Sequence, residues 1–345
     1  MRTFRTGLLI GLAVAVAVAA AAITYIRYDT RTLKRVVNRG HLLCGVNTGL
    51  PGFSNPDDKG NWAGFDVDFC RAIAAAIFND PSKVQFVPLD VSERFKELRD
   101  RKIDVLARNS TWSISREAAF GLHFAGVSYY DGQGFMVRKS RNVDSALDLD
   151  NSKICVLANT TTELNLSDYF TANHMKFDVV KFVKLEELLK AYEDNKCDTV
   201  TSDVSQLYAQ RLKLAKAADH VILPEVISKD PLAPVVRHRD DQWQMIVKWT
   251  LFAMLNAEEL GVNSKNIDAA LKSTKPEVKR LIGTEDNYGD DIGLSRDWAA
   301  RIVRLVGNYG EIYDRNLGDG SPLAIPRGLN QLWNAGGIQY APPVR

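Results

Sequence analysis

The run Arg108–Phe120, RNSTWSISREAAF, sets four hydroxyl residues (Ser110, Thr111, Ser113 and Ser115) around Trp112 and then supplies Arg116. A guanidinium presents a planar fork that meets a carboxylate with two parallel hydrogen bonds. Thr160, Thr161 and Thr162 form a second cluster, at the head of the helical pattern TELNLSDYF. Hydroxyls and free backbone N–H groups in a first helical turn favour an anion. Asp203 closes the segment CDTVTSD, a place where a carboxylate takes an ammonium. A carboxylate receptor and an ammonium receptor together describe a grip on a zwitterion. Each residue also has a plainer reading. Arg116 reads as a solvated first-turn residue, the threonines as caps and Asp203 as the N-cap of VSQLYAQRLKL. Phe53, Trp62 and Trp112 read as core.

These residues become interesting through the elements that must hold them. The first segment reads strand HLLCGVN, helix DVDFCRAIAAAIF, strand VQFVPL, helix SERFKELRDRK, strand IDVLARN. A second copy follows as KICVLAN, TELNLSDYF, FDVVKF, LEELLKAYEDNK and CDTVTSD. In both copies an amphipathic helix ends at a lysine, and Asp104 or Asp198 then opens the next strand. Apolar spacings of three and four mark the helices, and the short apolar strands suit sheets covered on both faces. Two β-α-β-α-β units predict two α/β lobes with mainly parallel sheets. Ligands of such sheets bind beyond the carboxyl ends of the strands. The loops there are NTGLPGF and RNSTWSISRE in the first unit, ANTTTEL and TSDVSQ in the second. All four are polar.

A chain of 345 residues exceeds what one core usually holds, which agrees with two lobes. Hydrophobic content of 46% and charged content of 25% are ordinary for a globular protein. The formal charge is +2, and Arg2 and Arg5 account for it. With no basic stripe, nucleic acid is not an expected partner. The amino end, MRTFRTGLLIGLAVAVAVAAAAITYIRYD, has the layout of a signal peptide over residues 1–26, with cleavage near Ala22. Because ITYI lengthens its apolar run, an uncleaved anchor is the alternative. Either places the body outside the cytoplasm, in the periplasm. Cys44, Cys70, Cys155 and Cys197 form an even set without a CxxC pair. Three pairings are open. Cys44–Cys70 with Cys155–Cys197 is preferred, because each closes a loop of about 26 or 42 residues within one lobe, and four reduced cysteines is the alternative.

Several stretches resemble the extracellular solute-binding proteins of polar amino-acid ABC transporters. They are CGVNTGLPGFSNPDDKGNWAGFDVDFCRAIAAAIF, RNSTWSISREAAFGLHF, YYDGQGFMVRKS, TTTELNLSDYF and VGNYGEIYDRNLG. The likeness is greatest to the general L-amino acid-binding periplasmic subgroup and runs from Thr32 to Arg345. It implies a two-lobed α/β periplasmic-binding-protein fold of type II, the Venus flytrap, with two hinge strands. Lobe one would take 32–137 plus 236–345 and lobe two 138–235, with QGFMVRK and APVVRHRD as the crossing strands. It also implies that Arg116 holds the ligand α-carboxylate with Thr111 and Thr161, and that Asp203 holds the α-ammonium. Asn47 stands where many relatives have aspartate, Leu50 where many have an aromatic lid, and Asn159 where a glycine is common. Ser110, Thr160 and Phe53 complete the expected contacts.

The implied function is broad binding of free L-amino acids by a monomer. Lobe closure would deliver them to an ABC permease, with no cofactor. No GxxxxGK[ST] run, HExxH or GxSxG pattern occurs, and the five histidines are scattered. The rival readings are a membrane-anchored sensor and a dehydratase on the same fold, for which Asp203 and Glu163 would be the cleft carboxylates.

Overall fold

A computed structural model describes residues 31–345, and the expected signal peptide or anchor lies outside the described residues. Two five-stranded sheets organise the chain. In the first, Leu42–Val46 pairs in parallel with Val84–Pro88 and Val105–Leu106. Val235–Arg237 and Leu122–Phe124 complete it antiparallel. In the second, Ser152–Leu157 pairs in parallel with Phe177–Phe182 and Thr199–Asp203. Gln133–Arg138 and His220–Ile222 then add antiparallel. The inner runs LLCGV and TVTSD are almost wholly buried, whereas FDVVKF at an edge carries exposed positions. Apolar runs thus fall where both sheet faces are covered.

The internal repeat reappears in hydrogen bonds. Asp104 donates its N–H to Leu43 O and Asp198 donates its own to Lys153 O, each at 2.8 Å. The two carboxylates accept in return from Leu43 N–H and Lys153 N–H, each at 2.9 Å. One aspartate per lobe therefore locks the opening of one strand to the start of its neighbour.

Helix Phe65–Phe78 buries Ala72 and Ala74–Ala76 together with Phe65, Phe69 and Ile73. Its small side chains let Asp241–Glu259 and Trp298–Leu305 pack closely on it. Gly64 precedes it at φ +135°, and a Cβ there would lie 2.2 Å from Phe53 O, so the turn into this helix needs glycine. The disulfide Cys44–Cys70 ties this helix to the strand Leu42–Val46, and Cys155–Cys197 joins the corresponding strand of the second lobe, Ser152–Leu157, to the turn before Thr199. Both pairs are the preferred ones.

The crossing strands differ from the expected ones. Gln133–Arg138 and Val235–Arg237 lie inside the two sheets, and their near-continuous burial suits a sheet interior. The connection between sheets is instead the antiparallel pair Tyr129–Asp131 with Asp230–Leu232. The carboxyl-terminal segment braces this pair. Asn330 accepts from Tyr130 N–H at 2.7 Å and donates to Tyr130 O at 3.0 Å, imitating a neighbouring strand. Tyr309 Oη and Gln339 Nε2 both donate to Ser128 O. Replacing Asn330 by alanine strands two backbone groups of the connecting strand. The expected loss is ~1–3 kcal/mol of unfolding free energy, read from urea melts without ligand, and an unchanged midpoint would contradict the brace. Among the described residues no helix is long and apolar enough to cross a membrane.

Candidate functional site

Four strands end at one cleft of about 630 Å³, counting its open mouth. Asn47 follows Val46, and Arg108–Thr111 follows the strand Val105–Leu106. Thr160–Thr162 follows Leu157, and Asp203 closes Thr199–Asp203. This is the strand-end placement expected of open α/β sheets.

Helix Ile114–Phe120 starts at Ser113, whose hydroxyl caps Arg116 N–H. Arg116 is only 8% exposed. Its guanidinium donates to Thr111 O at 2.9 Å and lies 5.6 Å from the Phe95 ring centroid, which fixes its aim. Trp112 does not line the cleft. It stacks on Phe124 and donates Nε1–H to Glu117. Thr111 Oγ1 lies 3.3 Å from Thr161 Oγ1 and donates to Asp230 Oδ1 at 3.1 Å. Hydroxyls of the two sheets thus meet at one carboxylate of the connecting strand, a closed arrangement.

Thr160 caps helix Thr161–Ala172 by accepting from Glu163 N–H, and donates to Leu157 O at 2.6 Å, so the cap reading holds for it while it still lines the cleft. Asp203 occupies the N-cap position of helix Val204–Leu212 but makes no side-chain cap bond. Its carboxylate accepts instead from Gln206 Nε2 and faces the cleft.

Arg116, Asp203, Thr111, Thr161, Thr160 and Asn47 therefore come together. Leu50, Phe53 and Ser110 do not. Paired backbone bonds between Leu50 and Ser54 fold their loop inward, and Leu50 and Phe53 enter the core, Phe53 against Tyr129 and Phe65. Ser110, fully buried, donates to Arg108 O. Leu50 and Phe53, expected as ligand contacts by the resemblance, are thus spent on packing, and the core reading of Phe53 holds.

Sequence reasoning missed five groups: Arg94, Arg108, Asn109, Asp131 and Asp230. Arg108 and Asn109 stood inside the quoted run, but Arg94 reads as a solvated position of SERFKEL and Asp230 as part of a loop. No periodicity signals either one. Burial pushes Asp131 up to about 7, although Ser205 donates both its hydroxyl and its N–H to it. Burial also raises Asp203 well above the usual carboxylate range. Asp131 and Asp230 add to that rise, while Arg116 counters it. Burial draws Arg108 down to about 10, with Asp90 and Asp66 opposing. The cleft is a cage of opposed charges held out of water, where an arriving ion of either sign finds a strong partner. Among the described residues no cluster suits a metal ion.

A sequence model of the bacterial extracellular solute-binding proteins, family 3, matches residues 42–267. The chain is 53% identical over 336 residues to the General L-amino acid-binding periplasmic protein AapJ of Rhizobium johnstonii, covering 97% of this chain and 98% of that one. It is 47% identical over 329 residues to the Glutamate/glutamine/aspartate/asparagine-binding protein BztA of Rhodobacter capsulatus, covering 95% and 97%. A solved ABC transporter/periplasmic binding protein from Brucella ovis, with glutathione bound, superposes with a TM-score of 0.91 at 53% identity, covering 92% of this chain and all of that one.

Proposed function

The chain belongs to the bacterial extracellular solute-binding proteins, family 3, and we propose that it captures free L-amino acids in the periplasm and hands them to the permease of an ABC importer. Arg116, with Thr111 and Thr161, takes the α-carboxylate. Asp203 takes the α-ammonium. A ligand held at both poles bridges the lobes only when they are closed, so it shifts the population towards the closed form. The permease reads that form, and a monomer suffices. The lobes divide at the pair Tyr129–Asp131 with Asp230–Leu232, so lobe one takes 32–128 and 233–345 and lobe two takes 132–229, in place of the expected 32–137 plus 236–345 and 138–235, because Gln133–Arg138 belongs to the second sheet and Val235 to the first. The observation that carries this reading is that Arg116 and Asp203, from the strand ends of different sheets, line one cleft and act on each other electrostatically.

Isothermal titration against a panel tests it. Several L-amino acids of different side chains are expected to bind, while α-amide and N-acetyl derivatives lose about 30-fold or more, because each leaves one buried charge unpaired. Undiminished binding of both derivatives would overturn the zwitterion grip. Tight binding of a single amino acid would overturn the breadth.

A further inference from the structure

Asp230 already engages the groups that the zwitterion reading gives to a ligand. It lies on the connecting strand Asp230–Leu232, is 1% exposed and stands opposite Asp131 in the pair that joins the sheets. Its Oδ1 accepts from Thr111 Oγ1 at 3.1 Å and from Thr161 Oγ1 at 3.4 Å, one hydroxyl from each side of the cleft. Its Oδ2 accepts from Ser228 Oγ. Arg116 and Asp230 also attract each other. Arg116, Thr111 and Thr161 are the set assigned to the α-carboxylate, and Asp230 acts on all three. A hydroxyl has one proton to give. A threonine that donates to Asp230 turns lone pairs to the cleft, and lone pairs repel an anion. To hold a ligand carboxylate, each threonine must withdraw its proton from Asp230. That exchange leaves the Asp230 charge buried with Ser228, among the like charges of Asp131 and Asp203. A buried charge stripped of its donors costs free energy. A ligand ammonium arriving at Asp203 supplies the compensating positive charge. A carboxylate that brings no ammonium supplies none.

We propose that Asp230 is a specificity-determining residue that competes with a ligand carboxylate for the Thr111 and Thr161 hydroxyls and so rejects carboxylates lacking an α-ammonium. This rests on the reading of the cleft as an amino-acid site. The rejected compounds are 2-hydroxy and 2-oxo acids, which share the stem and carboxylate of the amino acids. Asp203 supplies the attraction for an ammonium, and Asp230 adds the repulsive element that discrimination also needs. The two carboxylates therefore act in different ways. Removing Asp203 weakens amino acids, whereas removing Asp230 admits their analogues without nitrogen. The position in the fold makes this possible. Asp230 lies on the strand pair that joins the two sheets, so one carboxylate reaches a hydroxyl on each side.

The test is calorimetric titration of the full chain, of Asp230→Asn and of Asp230→Ala with L-alanine and with L-lactate, its 2-hydroxy counterpart. The wild-type chain is expected to bind L-lactate about 100-fold more weakly than L-alanine, or worse, the scale of a buried charge left unpaired. In Asp230→Asn that preference should shrink about tenfold or more through a gain in L-lactate affinity, because a neutral amide competes less for the hydroxyl protons and repels no anion. Asp230→Ala removes the acceptor altogether and should act in the same direction. It decides the matter if Asp230→Asn fails to fold by circular dichroism. A preference that stays the same, whether or not both affinities fall together, would make Asp230 a structural residue and overturn the proposal. A preference that shrinks only because L-alanine weakens would assign Asp230 to the ammonium and overturn it too. So would a wild-type chain that binds L-lactate within about tenfold of L-alanine, with no variant needed. A wild-type chain that binds no amino acid would instead reject the underlying function, and the proposal with it.

Discussion

Alanine at position 116 is expected to abolish measurable amino-acid binding while leaving the chain folded. The guanidinium is buried, aimed by Thr111 O and the Phe95 ring, and faces a cleft that also holds Asp203, while Asp230 acts on it electrostatically. A carboxylate brought there without it would surrender its water and gain no fork. Truncating one partner of such a buried pair costs about 2–5 kcal/mol, or roughly 30-fold to several thousandfold in Kd. The damage spreads to the other pole, since Arg116 is the cation that opposes the upward shift of Asp203. Arg116→Lys keeps the charge and loses the fork, so it should recover part of the affinity. Folding is spared because the side chain bridges no core elements. Titration calorimetry with circular dichroism reads both effects. Near-normal affinity in Arg116→Ala would remove the assignment.

Much of this arrangement was legible in the sequence because it was repeated. Two β-α-β-α-β units give two sheets, and the aspartates that open the last strand of each unit bind their neighbours in the same way. Loops at strand ends face one another across two such lobes, so place, charge and the family resemblance together point to Arg116 and Asp203 as residues of one cleft. What stayed hidden depends on distant contacts. Leu50 and Phe53 sit in a loop of suitable composition. A pair of backbone bonds between Leu50 and Ser54 turns them into the core, and no local pattern announces it. Arg94 lies on an amphipathic helix where a solvated cation is the ordinary expectation, and only tertiary packing buries it. The expected crossing strands lie one strand further along the chain than the observed pair, because long buried runs carry a stronger strand signal than the short pair that joins the sheets. The carboxyl-terminal brace has no local signature at all. Asn330 reaches Tyr130 across 200 positions of sequence.

Asp203→Asn tests the second pole and is expected to separate binding from stability. The carboxylate is 3% exposed and crowded by Asp131 and Asp230, so without ligand it holds its proton to a pH well above the usual range. An ammonium needs the ionised form. Binding must therefore drive a proton off, and affinity should climb as pH rises towards the raised value, by up to about tenfold per unit. Titrations in buffers of different ionisation heat read that release directly. The asparagine variant has the shape of the protonated acid and no charge to offer. Its affinity should fall about 30-fold to a thousandfold at pH 8 and lose most of its pH dependence. Stability runs the other way. A carboxylate whose folded pKa lies above its unfolded one favours the native state at low pH. That advantage is lost as pH climbs from the unfolded value, near 3.8, to the raised folded one. Above that window the wild-type chain keeps a repelled, buried charge that the variant lacks. Without ligand, at a pH above that window, Asp203→Asn should melt at the same temperature as wild type or higher, while binding far worse. A variant that keeps the wild-type affinity and pH profile would show that the ammonium is held elsewhere, with Asp230 and Asp131 the carboxylates left to hold it.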